Sequence, residues 1–295
     1  MEELNELRTA ARNRLLLCVV GVVALGLAAW GITHSVFGFL AVLPVGGFLS
    51  LFAGCPSLER YRSAYKKRFV RKALQAHFSE LRYAPNRGIP EKTIANLHMM
   101  NMGTSFWSED YFQGTYKGVR LEQADVEIKK QGNRNSMTLF HGRWIIVDFN
   151  KPLRSGIQIV QNGFLAAVPS GFSRVELESE AFNRDFFVLA QNAHDAFYVL
   201  TPAFMERIQA LAGARRRLML CFAGNRLHIA IDDGKDAFEP GSVFRKLPTR
   251  TDTLTWVIDN EIREIIRLID TLCLDNDLFL QEGYAKENNI PYERQ

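Results

Sequence analysis

The side chains of this chain that could do chemistry are carboxylates and histidines in its second half. Glu178 and Glu180 are two residues apart, so on a strand both carboxylates would lie on one face, where paired acids can transfer protons. His194 and Asp195 could form a proton-transfer pair, although adjacent helical residues point to different sides. Acids that complement a helix dipole, and a surface or capping histidine, explain the same residues without catalysis. We therefore predict no catalytic residue here.

Metal and cofactor sites are not predicted either. Residues 232–236 read Asp-Asp-Gly-Lys-Asp and resemble a calcium loop, but they lack the alternating acids and terminal Glu of an EF-hand, which favours a solvated turn. The four cysteines form no CxxC pair, and the six histidines have no ligand spacing. Phosphate-binding, dinucleotide-binding, metalloprotease and nucleophile-elbow motifs do not occur in the sequence. Whether the chain is an enzyme stays uncertain, and a non-enzyme is favoured.

A dense aromatic series could instead line a groove for a ligand or partner. The series consists of Phe182, Phe186, Phe187, Phe197, Tyr198 and Phe204. A strand of period two and helical i, i+4 positions bury such residues in a core, and this is the favoured interpretation. Trp107 and Trp144 are likewise predicted to be packed.

The elements that must position these residues begin at the N-terminus with two apolar runs, residues 15–32 and 36–53. Only Thr33, His34 and Ser35 separate the runs, and no charged side chain occurs from 15 to 53. A helix of 18 residues spans roughly 27 Å, close to the hydrocarbon core of about 30 Å. We predict a transmembrane hairpin over residues 15–54. A shallow re-entrant second segment and a cleaved signal peptide are the alternatives.

Seven cations follow the second apolar run and set the orientation of the hairpin. They are Arg60, Arg62, Lys66, Lys67, Arg68, Arg71 and Lys72. Arginines also precede the first run, whereas the connecting turn has no cation, so the positive-inside rule places both termini in the cytoplasm. Cysteines without a disulfide framework agree with a reducing compartment.

These seven cations are also predicted to contact anionic lipid headgroups. Apolar residues recur at helical spacing from Leu58 to Ala73, which predicts an amphipathic juxtamembrane helix over residues 55–80. Cations that only set topology and face water are the alternative. The net charge of residues 56–75 is +6, whereas the net charge of the whole chain is +4. Since the charges of residues 1–14 cancel, residues 76–295 have a net charge of −2. A mildly acidic domain argues against nucleic-acid binding.

The remainder of the chain predicts an α+β domain with a mainly antiparallel sheet. Strands occur in runs and helices in runs, with hairpin signals at Gly118 and Gly224, and a long amphipathic helix covers residues 253–274. The predicted organisation is a cytoplasmic N-terminus at 1–14, the hairpin at 15–54, the basic helix at 55–80, the α+β domain at 81–282 and a polar tail at 283–295.

Several stretches resemble the bacterial family known as domain of unknown function 3137. They are YRSAYKKRFVRKAL (61–74), LRYAPNRGI (81–89), YFQGTYKGVRLEQADV (111–126), FHGRWIIVDFNKPLRSGIQIV (140–160) and LESEAFNRDFFVLAQNAHDAFYVLTPAFMERI (177–208). The resemblance implies a membrane hairpin with a cytoplasmic domain in the bacterial inner membrane. It implies no catalytic residue, substrate or cofactor, and only weakly suggests an assembly with a LemA-type membrane protein.

Two hypotheses of function follow from the sequence. The first is a membrane-anchored binding or scaffolding module that contacts a membrane or cytoplasmic protein, a LemA-type protein or a second copy of itself. The second is a membrane-associated enzyme or lipid-handling protein with a pocket near residues 177–208, which would need a concave apolar site with convergent polar groups.

Overall fold

The structure is a computed structural model that describes residues 2–37, 42, 56–132, 135–149, 153, 155–162, 168–212, 217–244, 251–272 and 274. Its contacts group the chain into two compact units. The first unit consists of residues 1–73 and 238–259, and the second of residues 74–237 and 260–295. The described part of the first unit is mainly helical, with a non-helical stretch at residues 238–244, and the second unit contains a β-sheet with further helices.

The first unit begins with one long helix, α1, at Glu2–Thr33. The helix starts well before the apolar run, so residues 15–32 are the C-terminal part of a longer helix. His34 has a φ of 46°, which ends α1 at the predicted turn. The second predicted membrane helix, residues 36–53, lies almost entirely outside the described residues.

A second helical segment follows from residue 56 to residue 77. It consists of α2 (56–65), a π-helical turn at Lys66–Val70, and α3 (Arg71–His77). The segment has the helical character predicted for residues 55–80, but Ser79 already begins the first strand. Phe78 caps the segment, since its backbone N–H donates to the carbonyl of Leu74.

Nine strands form one sheet in the second unit. They are β1 (Ser79–Ala84), β2 (Ser105–Tyr116), β3 (Val119–Gln131), β4 (Ser136–Asp148), β5 (Ile157–Gln161), β6 (Ser173–Val175), β7 (Phe186–Ala190), β8 (Arg217–Ala223) and β9 (Arg226–Asp232). Their order is β1-β2-β3-β4-β9-β8-β5-β7-β6, and every described pairing is antiparallel. The predicted α+β class with an antiparallel sheet is therefore correct.

Two tight turns fix the register of the longest hairpins. Lys117 and Gly118 both have positive φ (49° and 80°), as a type I′ turn between β2 and β3 requires. Gly224 has a φ of 61° at the first central position between β8 and β9, where a type II′ turn needs glycine. Both glycines stand at the positions that the sequence predicts for hairpin turns.

Five further helices complete the described chain. They are α4 (Glu91–Ala95), α5 (Glu180–Asp185), α6 (Ala193–Val199), α7 (Pro202–Leu211) and α8 (Thr251–Leu272). Side-chain oxygens of Ser179, Asn192 and Thr201 accept hydrogen bonds from the first turns of α5, α6 and α7. Thr201 is the N-cap of α7 and Pro202 is its first residue, an order that favours a helix start.

Both faces of the central strands are covered. On one face, Trp144 and Ala124 pack with Ile89, Ile94 and Met99 of the connection between β1 and β2. On the other, Ile145 and Ile231 lie beside Ile265 and Leu268 of α8. This α8 face is the predicted amphipathic stripe, and it is buried as expected.

Candidate membrane-surface site

The N-terminal part of α1 runs antiparallel to α2 and the π-helical turn within the first unit. Arg14 Nη1 donates to Ser57 Oγ at 2.9 Å, and Arg68 Nη1 lies 2.8 Å from Glu3 Oε2. The two residue numbers of each pair sum to 71, as antiparallel helices in register require. The chain therefore leaves this helix pair after residue 14 and rejoins it at residue 57, at the same end of the pair.

Buried residues at helical spacing hold the two helices together. Leu4 and Ala11 of α1 and Tyr61 and Tyr65 of the second segment are all buried. Arg8 lies between them on the same stripe, and it donates to the carbonyl oxygen of Val243 at 3.2 Å. The charges of residues 1–14 predict only a cytoplasmic flank, whereas the spacing of Leu4, Arg8 and Ala11 is the signal that indicates a buried stripe.

Tyr61 is the most buried polar group of this interface. Burial raises the pKa of its phenol, the nearby Arg8 guanidinium opposes that shift, and Glu239 adds to it. Its hydroxyl has no hydrogen-bond partner among the described residues. The phenol is thus neutral, and its ring contributes by packing.

The carboxylate of Glu239 forms ion pairs with two of the predicted membrane-surface cations. Lys66 Nζ lies 2.7 Å from Glu239 Oε1, and Arg62 Nε lies 3.3 Å from Oε2. The Lys66 side chain is only 5% exposed, so it cannot reach a lipid headgroup without breaking this pair. Lys66 is therefore withdrawn from the predicted contact set.

The other six predicted cations are on the surface of the helical segment. They are Arg60, Arg62, Lys67, Arg68, Arg71 and Lys72, all of which are exposed. Arg68 is also paired with Glu3, but this pair is itself exposed and adds little stability. Contact of these six with the bilayer stays a prediction.

The apolar part of α1 is exposed. The helix is long and apolar enough to cross a membrane, with a mean hydropathy of 2.6 in its most apolar window and only 6% of that window buried. Leu17, Val20 and Leu25 are each at least 60% exposed. A core helix of a water-soluble domain would bury these side chains, so this surface needs another apolar environment.

The aromatic series of residues 177–208 divides between core and surface. Phe182, Phe186 and Phe204 are buried, and the rings of Phe182 and Phe186 stack with centroids 4.9 Å apart. Phe197 and Tyr198 of α6 are about half exposed. Two clefts formed by described residues of the second unit are lined by residues outside 177–208. The core interpretation therefore applies to the buried members and not to the α6 pair.

The residues considered for catalysis are not assembled into a site. Glu178, Glu180 and His194 are exposed, and Asp195 accepts a hydrogen bond from Ser155 Oγ at 2.5 Å. Cys221 is buried, and this burial raises the pKa of its thiol to about 12, so the thiolate is not formed near neutral pH. Trp144 is packed as predicted, whereas the prediction for Trp107 is wrong, since its side chain is 64% exposed.

The acidic loop at 232–236 differs from the predicted solvated turn. Asp232 is buried and pairs with Arg217, and Asp236 Oδ1 lies 2.7 Å from His141 Nε2. Asp233 pairs with the buried Arg143 at 2.9 Å. These pairs could not be predicted from the loop sequence, because their basic partners are distant in sequence.

Comparisons with known proteins give one family match and one similar solved structure. Residues 138–274 match the family model "Protein of unknown function (DUF3137)". Among solved structures, the mycobacterial trehalose monomycolate transport factor A, TtfA, is similar over 69% of this chain and 94% of that chain, with 8% identity and a TM-score of 0.38. A likeness of that degree supports no argument about function. No curated protein sequence matches the chain.

Proposed function

The chain carries a DUF3137 domain at residues 138–274, as its sequence predicted, and from this premise we propose that it is a membrane-anchored binding module of the bacterial inner membrane. The observation that carries the proposal is the exposed apolar surface of α1. The N-terminal part of the same helix packs on α2. A bilayer covers the exposed part, and α2 holds the buried part.

The antiparallel pairing of residues 3–14 with residues 57–68 supports the hairpin. If residues 15–54 enter the bilayer, the contact between Arg14 and Ser57 favours exit from and return to the same side of the membrane. If α1 crosses the bilayer, residues 36–53 would cross back, since a helix of 18 residues spans roughly 27 Å, close to the hydrocarbon core of about 30 Å. The positive-inside rule places the shared side, and with it both termini, in the cytoplasm.

Reporter fusions test this topology. A periplasm-dependent phosphatase joined after Ser35 should be active, and the same reporter joined after Ser57 or Gln295 should be inactive. The Ser57 fusion is the discriminating control, because a re-entrant second segment would leave residue 57 outside and the phosphatase active there. An active fusion at Gln295 would contradict the cytoplasmic domain.

The proposed binding surface is the aromatic pair on α6. Phe197 and Tyr198 are exposed within the most recognisable stretch of the family resemblance, while Ala196 of the same helix is buried. Exposed aromatic side chains are typical anchors of protein interfaces because they bury a large area at low entropic cost. A LemA-type membrane protein and a second copy of this chain are the partners that we propose.

The binding role is tested by purifying the tagged chain from native membranes and measuring complex masses by native mass spectrometry. We expect a stoichiometric protein complex that the double variant F197S/Y198S reduces at least tenfold. M137S removes another exposed apolar side chain of the same unit and should leave the complex intact. A monomer without a protein partner would contradict the proposal, and a co-purifying lipid would favour the lipid-handling alternative.

A further inference from the structure

An acidic cleft lies on one face of the hairpin formed by β2 and β3. Trp107 and Glu109 of β2 stand opposite Glu127 and Asp125 of β3, so the four side chains share this face. Asp236 closes the cleft from the loop after β9, and the cavity has a volume of about 270 Å³. The cleft therefore brings together four carboxylates and an exposed indole ring.

Asp125 is the central group of this cleft. Its side chain is 3% exposed; Oδ2 accepts a hydrogen bond from the backbone N–H of Ala237 at 2.5 Å. The other oxygen, Oδ1, is buried and has no hydrogen-bond partner among the described residues. A buried carboxylate oxygen without a partner costs stability unless a proton or a cation occupies it.

The surroundings of Asp125 add further negative charge. Glu109 is its direct cross-strand partner, an arrangement of like charges that destabilises a sheet. Asp110, which follows at a β-bulge with a φ of 56°, has a carboxylate oxygen within 4.8 Å of one from Glu109. Burial and Asp110 raise the pKa of Asp125 well above its usual value, the Ala237 N–H and Arg143 oppose the shift, and Asp236 adds to it.

Not all carboxylates of the cleft are equally available. Glu127 Oε1 lies 2.7 Å from Lys129 Nζ, and Asp236 Oδ1 contacts His141. We propose that the cleft binds a hydrated divalent cation of the magnesium or calcium type, with Asp125 as its direct ligand and with Glu109 and Asp236 contacting the ion through retained waters. Carboxylate oxygens are the ligands these ions prefer. The volume also admits several retained waters, at about 30 Å³ each.

Calorimetric titration of the full chain in detergent tests the proposal, with MgCl2 and CaCl2 as separate titrants after removal of metal by chelation. We expect saturable binding of one ion per chain. D125N keeps a side-chain carbonyl that can accept from Ala237 and should bind at least tenfold more weakly. E109Q should weaken binding in the same direction.

E178Q is the matched control, since it removes an exposed carboxylate of the same unit and should leave the affinity unchanged. Circular dichroism and the thermal midpoint verify that each variant is folded before titration. Absence of saturable binding to the wild-type chain would overturn the proposal. Equal affinities of folded D125N and of E178Q would overturn it as well, because binding would then be a property of scattered surface acids.

Discussion

Replacement of Arg143 with alanine is expected to lower the free energy of unfolding by about 3–5 kcal/mol, the usual cost of breaking a buried ion pair by removing one partner. Arg143 Nη2 donates to Asp233 Oδ2 at 2.9 Å and to Glu264 Oε2 at 2.6 Å, and the Arg143 and Asp233 side chains are each only 4% exposed. Without the guanidinium, these two carboxylates would have to stay charged without their cation or take up protons.

The comparison for R143A is R120A. Arg120 is about half exposed, and its Nε lies 3.9 Å from Asp148 Oδ2, so its loss should cost at most about 1 kcal/mol. Denaturant unfolding of the full chain in detergent, monitored by circular dichroism, measures both variants. Equal destabilisation of R143A and R120A would mean that the buried network does not hold α8 to the sheet.

The second expected result is that His228 makes the free energy of unfolding decrease at acid pH. Its Nδ1 accepts a hydrogen bond from Trp144 Nε1 at 3.2 Å, which requires an unprotonated Nδ1. Burial, with a smaller contribution from Arg226, lowers the pKa of this imidazole from 6.5 to about 4. The folded state therefore binds fewer protons than the unfolded state between these values. The stability that depends on unprotonated His228 is fully present above pH 6.5. The free energy of unfolding then decreases by about 3 kcal/mol as the pH falls to 4.

H228N isolates this contribution. The asparagine carbonyl can replace the acceptor for Trp144 but does not titrate, so the difference in unfolding free energy between pH 7 and pH 4.5 should shrink by about 2–3 kcal/mol relative to wild type. H194N removes an exposed histidine and should keep the wild-type difference. An unchanged pH dependence in H228N would show that another group controls acid unfolding.

Elements with a local signal were predictable from the sequence. Alternating strands, the glycine at each hairpin turn, and the Thr201–Pro202 helix start depend on a few neighbouring residues, and the structure has them where the pattern places them. The first strand was not predicted because Ser79–Ala84 follows a helix without a turn signal and has only one buried residue, Tyr83.

Features that depend on distant partners were not predictable. In the sequence, Lys66 cannot be distinguished from the six other cations of the same segment, and it is buried where it pairs with Glu239. The acids at 232–236 looked solvated because Arg143 and Arg217 lie far away in sequence. Asp125 stands in a strand without any motif, and its burial follows from the loop that returns after β9. Each of these placements is decided by tertiary contacts that a sequence window does not contain.

The antiparallel register of α1 also bears on how the chain is processed. Removal of an N-terminal signal sequence would detach residues 2–14 and uncover Tyr61 and Tyr65, two large side chains that are now buried. It would also leave Ser57 without the Arg14 contact. These contacts make residues 2–14 part of the folded first unit, and their loss would expose the aromatic side chains that the unit buries.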